Sequence, residues 1–313
     1  MNPSEHVKNK YEIEDTASKI KKARIQEFLV RNVLFVCAIF CIAVSLGIVV
    51  VLFEETLHFF REVSLLDFMF GTEWTPLFEP RKFGIWPLIM GTSLITLGAA
   101  VVGIPLGIGI AIFLNEYASQ RVQEWFKPVL EILAGIPTVV YGYFAVKTIT
   151  PALQSVIPQI EVFNALSAAI VVGIMIVPMI ASLCDDAIRS VPRSVKEAGY
   201  ALGATKLEVT SQVVIPAAMS GLVAAFILAL SRALGETMAV TLAAGSTPKM
   251  SLNPMESVQT MTAYIVQVSL GDTPHGTLEY RSIFAVGSVL FLMTLAFNLL
   301  AYQLVKKYRR VYE

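Results

Sequence analysis

The sequence predicts an all-α polytopic membrane protein with six transmembrane helices. Two observations carry that expectation. Of the 313 residues, 55% are hydrophobic and only 15% charged, against about a quarter charged in soluble domains, and the mean hydropathy is +0.66. The apolar residues also come in blocks near the ~20 residues that cross a hydrocarbon core. A third observation says where function is to be sought. One apolar block, Val213–Ala244, holds Arg232 and Glu236 four residues apart. A charged residue at a helix centre costs about 2.5–3.5 kcal/mol on insertion scales, so the pair must face protein, water or a ligand.

Taken in order, residues 1–32 form a polar tail rich in Lys and Arg. Val33–Phe53 is the first span. It lacks a small-residue cleavage pattern and reads as uncleaved. The second span is Leu88–Leu114. The third runs from Pro128 to about Val146, the fourth over Phe163–Leu183 and the sixth over Ile283–Leu304. These boundaries define a transmembrane domain over 33–305, a soluble loop at about 190–210 and a basic C-terminus at 306–313. The fifth block needs a closer look. Its 32 residues would make about 48 Å of straight helix, against a core of about 30 Å. It must project, tilt or break, with Gly235 as the candidate break and Pro216 as the start. Gly103, Gly107 and Gly109 in the second span read as close helix packing. Gly135-Ile136-Pro137 reads as a kink with Thr138 and Tyr141 able to line a cavity. Gly173 and Pro178 read as packing and bending, and Trp74, Trp86 and Trp125 as interfacial anchors.

The basic residues set the orientation. With the N-terminus inside, the inner segments hold Lys8, Lys10, Lys19, Lys21, Lys22, Arg24, Arg31, Arg121, Lys127, Arg189, Arg193, Lys196, Lys206, Lys306, Lys307, Arg309 and Arg310. The outer segments hold only Arg61, Arg81, Lys82, Lys147, Lys249 and Arg281. The positive-inside rule therefore places both termini and the 190–210 loop in the cytoplasm. The run Lys306–Arg310 reads as a positive-inside anchor able to contact lipid.

Net charge is zero and gives no reason to expect nucleic acid. Cys37, Cys41 and Cys184, like His6, His58 and His275, lack the spacing of a disulfide framework or metal site. There is no G-x-x-x-x-G-K-[ST] phosphate loop, no H-E-x-x-H and no G-x-S-x-G. The chain is not expected to bind ATP in that way, to need a cofactor or to be an enzyme.

The loop Ser190–Thr210 offers Pro192 as a helix start and Gly203 as a stop. On physical grounds alone it is either a partner-docking helix or a solvated connector. Glu197-Ala198-Gly199, then Gly203, then Ile215-Pro216 resembles the EAA loop of binding-protein-dependent ABC importer permeases. Gly199 stands where that pattern has a second Ala. The resemblance implies a type I (MetI-like) permease fold, with Glu197, Ala198, Gly199 and Gly203 in the helix that docks on an ATPase subunit.

A narrower resemblance covers nearly all the chain beyond residue 32. Gly71-Thr72-Glu73-Trp74-Thr75-Pro76, Phe83-Gly84-Ile85-Trp86-Pro87, Gly91-Thr92, Ala134–Gly142, Ser231–Thr241, Asn253-Pro254 and Thr260–Ala263 resemble PstC-type permeases of bacterial phosphate-specific transporters. This implies an inner-membrane phosphate importer made with a sister permease, two copies of an ATPase subunit that uses the ATP, and an extracytoplasmic phosphate-binding protein. Arg232 is then the substrate-facing cation, since a planar guanidinium can give an oxyanion two parallel hydrogen bonds. Glu236, one turn on, can hold it when the site is empty. Ser231, Thr237, Thr138 and Tyr141 complete the candidate substrate path. The rival readings are a permease for another oxyanion such as molybdate or sulfate, an ion-coupled secondary transporter or channel, and a membrane scaffold or sensor. The secondary transporter or channel would need no ATPase and leaves the cytoplasmic loop unexplained, whereas a sensing role can coexist with transport.

Overall fold

The computed structural model describes the backbone of residues 3–309 and the side chains of 24 and 26–306. The side chains of most of the N-terminal tail, and of the basic C-terminal run from Lys307 on, lie outside the described residues. The chain divides into two compact units, Met1–Glu54 and Glu55–Glu313. Helix α1 spans Pro3–Phe60 and so belongs to both. Most of the described side chains of the first unit are exposed, Phe35, Phe40 and Ile48 among them. A helix that is apolar all round suits lipid or a partner helix. The sequence set the first span at Val33–Phe53; its apolar helix is longer, Gln26–Phe60.

The second unit holds α2 (Leu65–Phe70), α3 (Trp86–Ile112), α4 (Gln120–Gly135), α5 (Thr138–Phe144), α6 (Thr150–Val156), α7 (Ala165–Arg189), α8 (Arg193–Ala201), α9 (Lys206–Val209), α10 (Ile215–Leu234), α11 (Met238–Ala243), α12 (Met261–Ser269) and α13 (Leu278–Arg309). Segments with π-helical bonding, at Phe113–Tyr117, Ala145–Ile149 and Thr210–Val214, lie among them. No strand forms among the described residues; an isolated bridge pairs Trp74 with Phe83. Among the described residues, five helices are long and apolar enough to cross a membrane. At the expected third span lies a bent pair, Gln120–Gly135 and Thr138–Val156, which meet at 88° and make a sixth crossing if the pair counts as one span. The expected kink at Gly135-Ile136-Pro137 is thus close to a right angle, and both arms extend beyond the Pro128–Val146 stretch the sequence marked.

The fifth span also differs from its expected limits. The helix ends at Leu234, with Gly235 as C-cap, so the expected break is there. Its start is not Pro216. Helix begins at Lys206, behind a capping box in which the Thr205 side chain accepts from the Glu208 N–H and the Glu208 carboxylate accepts from the Thr205 N–H. Proline removes one N–H and crowds the carbonyl four residues back. The π segment Thr210–Val214, with its wider i→i+5 bonding, absorbs that defect just ahead of Pro216. Ala145–Ile149 does the same ahead of Pro151.

Packing inside the second unit rests on small residues, as it must where lipid is as apolar as the side chains. A Cβ on Gly98 would lie 2.7 Å from the Ala169 Cβ, and one on Gly103 2.7 Å from Ile176 Cγ1 and 2.9 Å from the Gly173 carbonyl oxygen. A Cβ on Gly107 would meet the Ile180 side chain at 2.5 Å. These contacts seat α3 against α7. Gly109, grouped with them from the sequence, has open space around it and lies off this seam. A second core joins Phe59, Phe68, Trp74, Phe83 and Tyr264 through edge-to-face ring contacts, the Trp74–Tyr264 centroids being 4.9 Å apart. Trp74 is 1% exposed and therefore is not an interfacial anchor. Trp125 is exposed, and Trp86 is partly exposed with its indole N–H donating to the Met69 carbonyl at 2.7 Å.

The irregular stretch 245–260 is a strap over the start of α7. A helix leaves its first four N–H groups without intrahelical partners. Here Ala165 donates to the Glu256 carbonyl at 3.1 Å and Leu166 to the Pro254 carbonyl at 2.7 Å. Ser167 donates to Asn164 Oδ1 at 2.7 Å and the N-cap residue Asn164 donates its own N–H to the Ala243 carbonyl at 3.0 Å. All four are satisfied without water.

Gly103→Leu should destabilise the permease by about 1–3 kcal/mol or more, the usual range for overpacking, and should lower its melting temperature in detergent. Gly109→Leu should leave that temperature unchanged. Equal effects of the two would refute the α3–α7 seam.

Candidate functional site

The site begins where α10 stops. Arg232 lies in its last turn, where unpaired carbonyls favour a cation. Gly235 turns the chain out of the helix, with its N–H still on the Ser231 carbonyl at 3.4 Å. Glu236 follows, 3% exposed. Its Oε2 accepts from Arg232 Nη1 at 2.8 Å and its Oε1 from the Ala239 N–H at 3.3 Å. Its backbone oxygen accepts from Thr262 Oγ1 at 2.8 Å. The carboxylate is therefore held between α10 and α11, its backbone is tied to α12, and the guanidinium hangs from it. The Arg232 side chain is 46% exposed, and one of its five N–H donors is engaged by Glu236.

Arg232 forms part of the wall of a cavity of about 550 Å³. The other walls are α4 with Lys127 and Glu131, the 88° break with Pro137 and Thr138, and α7 with Ser182, Asp185 and Asp186. Among the residues singled out from the sequence, the structure brings Arg232 and Thr138 to this cavity and sets Glu236 behind Arg232. The rest lie elsewhere. Ser231 donates to Asn298 Oδ1 on α13 at 3.1 Å. Thr237 donates to the Gly235 carbonyl at 3.1 Å and holds the break. Tyr141 is buried, and its hydroxyl donates to the Leu133 carbonyl at 2.8 Å. That carbonyl ends α4, so Tyr141 braces the bend instead of lining the cavity.

The 190–210 loop holds a real helix, α8. Pro192 is its N-cap, with φ −57°, one residue earlier than the first-turn position the sequence offered. The helix stops in a Schellman motif. Gly203 has φ +83°, its N–H bonds the Tyr200 carbonyl at 2.9 Å, and the Ala204 N–H bonds the Gly199 carbonyl at 3.3 Å. Glu197 and Ala198 are exposed, as are Val195, Tyr200 and Leu202. Gly199 serves the fold: a Cβ there would lie 3.0 Å from Val209 Cγ2.

Sequence reasoning missed the polar cluster that ties α8 to the cavity. Lys196 on α8 pairs with Glu116 at 2.5 Å and donates to Asn115 Oδ1 at 3.4 Å. Asn115 donates to Asp185 Oδ1 at 3.1 Å. Asp185 also pairs with Arg189 at 2.9 Å and Lys127 at 3.5 Å. Arg189 reaches Gln123 Oε1 at 3.3 Å. The available signal was Asp185 four residues before Arg189 at the end of an apolar span. That pattern alone does not distinguish a buried network from a solvated helix end.

Residues 103–310 match the family model described as binding-protein-dependent transport system inner membrane component. The chain is 33% identical over 285 residues to the probable ABC transporter permease protein YqgH of Bacillus subtilis, covering 90% of this chain and 92% of that one. It is 32% identical over 300 residues to the phosphate transport system permease protein PstC of Mesorhizobium japonicum, covering 88% and 90%. Among solved structures it resembles the inward-facing MetNI methionine ABC transporter, with a TM-score of 0.54 and 17% identity over 72% of this chain and 94% of that one. A bacterial alginate ABC transporter complex gives a TM-score of 0.54 and 14% identity, over 86% and 94%. At those identities the likeness to the solved structures is one of fold.

Replacing Lys196 by Met and Glu116 by Gln, singly and together, should give a coupling energy of about 1.5–3 kcal/mol, as for hydrogen bonds to charged groups. Thermal unfolding of the purified protein would measure it. A coupling energy near zero would mean that the pair does not hold α8 in place.

Proposed function

The chain belongs to the family of binding-protein-dependent transport system inner membrane components, and from that premise we propose that it is the permease subunit of an ATP-driven importer of inorganic phosphate. In this reading it forms the translocation pathway with a sister permease. The observation that carries it is Arg232: a half-exposed guanidinium on a cavity wall, held from behind by a buried carboxylate, in a chain similar to PstC proteins over most of its length.

The chemistry follows from that arrangement. Phosphate near neutral pH is a mixture of monoanion and dianion. Arg stays charged and can meet two of its oxygens in one plane. Glu236 keeps the guanidinium at one place and lowers the local positive field, so that the anion is bound weakly enough to leave. Thr138, across the same cavity, offers a hydroxyl. Moving an anion inward against the membrane potential costs about 2.3 kcal/mol per charge per 100 mV, so the cycle needs an external energy source. We assign that to a separate ATPase subunit, present twice, with phosphate delivered by an extracytoplasmic binding protein. α8 is the docking element for the ATPase, with both chain termini on the same, cytoplasmic side. It buries none of its own side chains and presents Val195, Tyr200 and Leu202 outward, as a helix awaiting a partner would. Through Lys196 and Glu116 its displacement is passed to the inner ends of the spans.

In the assembled importer, Arg232→Gln should reduce phosphate uptake to background while assembly is unchanged. Normal uptake by an assembled variant would sink the site assignment. Uptake of sulfate or molybdate in place of phosphate would move the substrate to another oxyanion.

Gly203→Leu forces a side chain into the left-handed region, at a cost of about 1–2 kcal/mol, and so disturbs the end of α8. It should separate ATP hydrolysis from uptake, leaving the former running without the latter. Coupling equal to that of the unaltered importer would argue against α8 as the transmitting element.

A further inference from the structure

Arg232 shares its cavity with a second cation, Lys127 on α4. The two are built alike. Lys127 Nζ lies 3.5 Å from Asp185 Oδ2, with side-chain exposures of 46% for the lysine and 7% for the aspartate. For Arg232 and Glu236 the separation is 2.8 Å and the exposures 46% and 3%. In each pair a reachable cation stands on the wall and a buried carboxylate stands behind it.

The two pairs differ in how tightly the cation is held. At 3.5 Å the lysine is beyond the 2.7–2.9 Å of a good charge-assisted hydrogen bond. Asp185 does not depend on it, because Arg189 Nε at 2.9 Å and Asn115 Nδ2 at 3.1 Å also serve that carboxylate. Lys127 can therefore turn toward an anion without leaving a buried charge unpaired, which is the costly outcome. Glu131 and Asp186 line the same region. Their negative charge disfavours long residence of an anion there and so favours release.

The lysine also sits on the side of the cavity that leads to α8. Its partner Asp185 is bonded to Asn115, and Asn115 in turn to Lys196 of α8. A displacement of α8 therefore bears directly on the carboxylate that holds Lys127. We infer that Lys127 is a second anion-contacting residue, a release station for phosphate between Arg232 and the face of the permease that carries α8, with Asp185 as its resting partner. This rests on the phosphate-importer reading above.

The test uses the complete importer, with its sister permease, ATPases and binding protein, in proteoliposomes. Uptake of radiolabelled inorganic phosphate and ATP hydrolysis are measured together. Lys127→Gln should lower the maximal uptake rate about tenfold, the loss expected for one hydrogen bond to a charged group. ATP hydrolysis stimulated by the binding protein should persist, and Lys127→Arg should restore at least half of the uptake. Uptake by Lys127→Gln within about twofold of the unaltered importer, a difference below the energy of such a bond, would overturn the assignment. So would a parallel loss of uptake and hydrolysis that Lys127→Arg does not repair, since that marks a tie between helices. Failure of the unaltered importer to move phosphate would instead remove the substrate reading, and this station with it.

Discussion

Hydrocarbon offers no partner to an unpaired N–H or C=O, so every interruption of a membrane helix has to be satisfied from within the protein. The second unit depends on this constraint at each place where it departs from plain helices. At the bend of the third span, the Tyr141 hydroxyl takes the Leu133 carbonyl. At the start of α7, the strap brings the carbonyls of Pro254 and Glu256 to waiting N–H groups. At the end of α10, Glu236 takes an N–H of α11 and receives the hydroxyl of Thr262. The cavity lies between two of these interruptions, the bend and the end of α10. Broken helices at a transporter's midplane are where polar groups can be offered to a substrate at tolerable cost.

Charge is handled in the same way. The described carboxylates nearest the cavity are either buried with a cation or exposed on its wall. Asp185 serves three donors from three segments, and Glu236 serves α10 and α11 with its two oxygens. Both are the buried members of their pairs, and the cations are the half-exposed ones. The ion pair of Lys196 with Glu116 extends this polar path to α8, 80 residues away in sequence. On the proposed reading, the docking helix α8 and the anion-contacting Lys127 belong to one connected set of side chains.

Much of this was legible in the sequence because the bilayer imposes strong rules. The apolar blocks located each span, with ends displaced by up to about ten residues. The cost of Arg232 and Glu236 in such a block marked them before any coordinates. Gly203 was readable as a helix stop because only glycine adopts its conformation readily. What was not legible depended on residues far apart in the chain. Nothing near Asp185 announces Asn115 or Lys127, and nothing near Trp74 announces Tyr264, which covers it. Pro216 misled because its effect is local only if the helix stays α-helical, and the π segment before it removes that condition. Ser231 and Tyr141 share the neighbourhood of the site but face α13 and the bend, and spacing alone does not decide which way a helix is turned.

The strap has a bearing on how the protein is made. Ala165 and Leu166 at the head of α7 depend on carbonyls at 256 and 254, about ninety residues later in the chain. At roughly 5–20 residues per second, the ribosome supplies those acceptors on the order of ten seconds after the fourth span has emerged. During that interval the head of α7 has to find its hydrogen-bond partners in water, lipid headgroups or the insertion machinery, because hydrocarbon offers none. Final seating of the head of α7 therefore waits on the strap that follows the fifth span, and not on the fourth span alone.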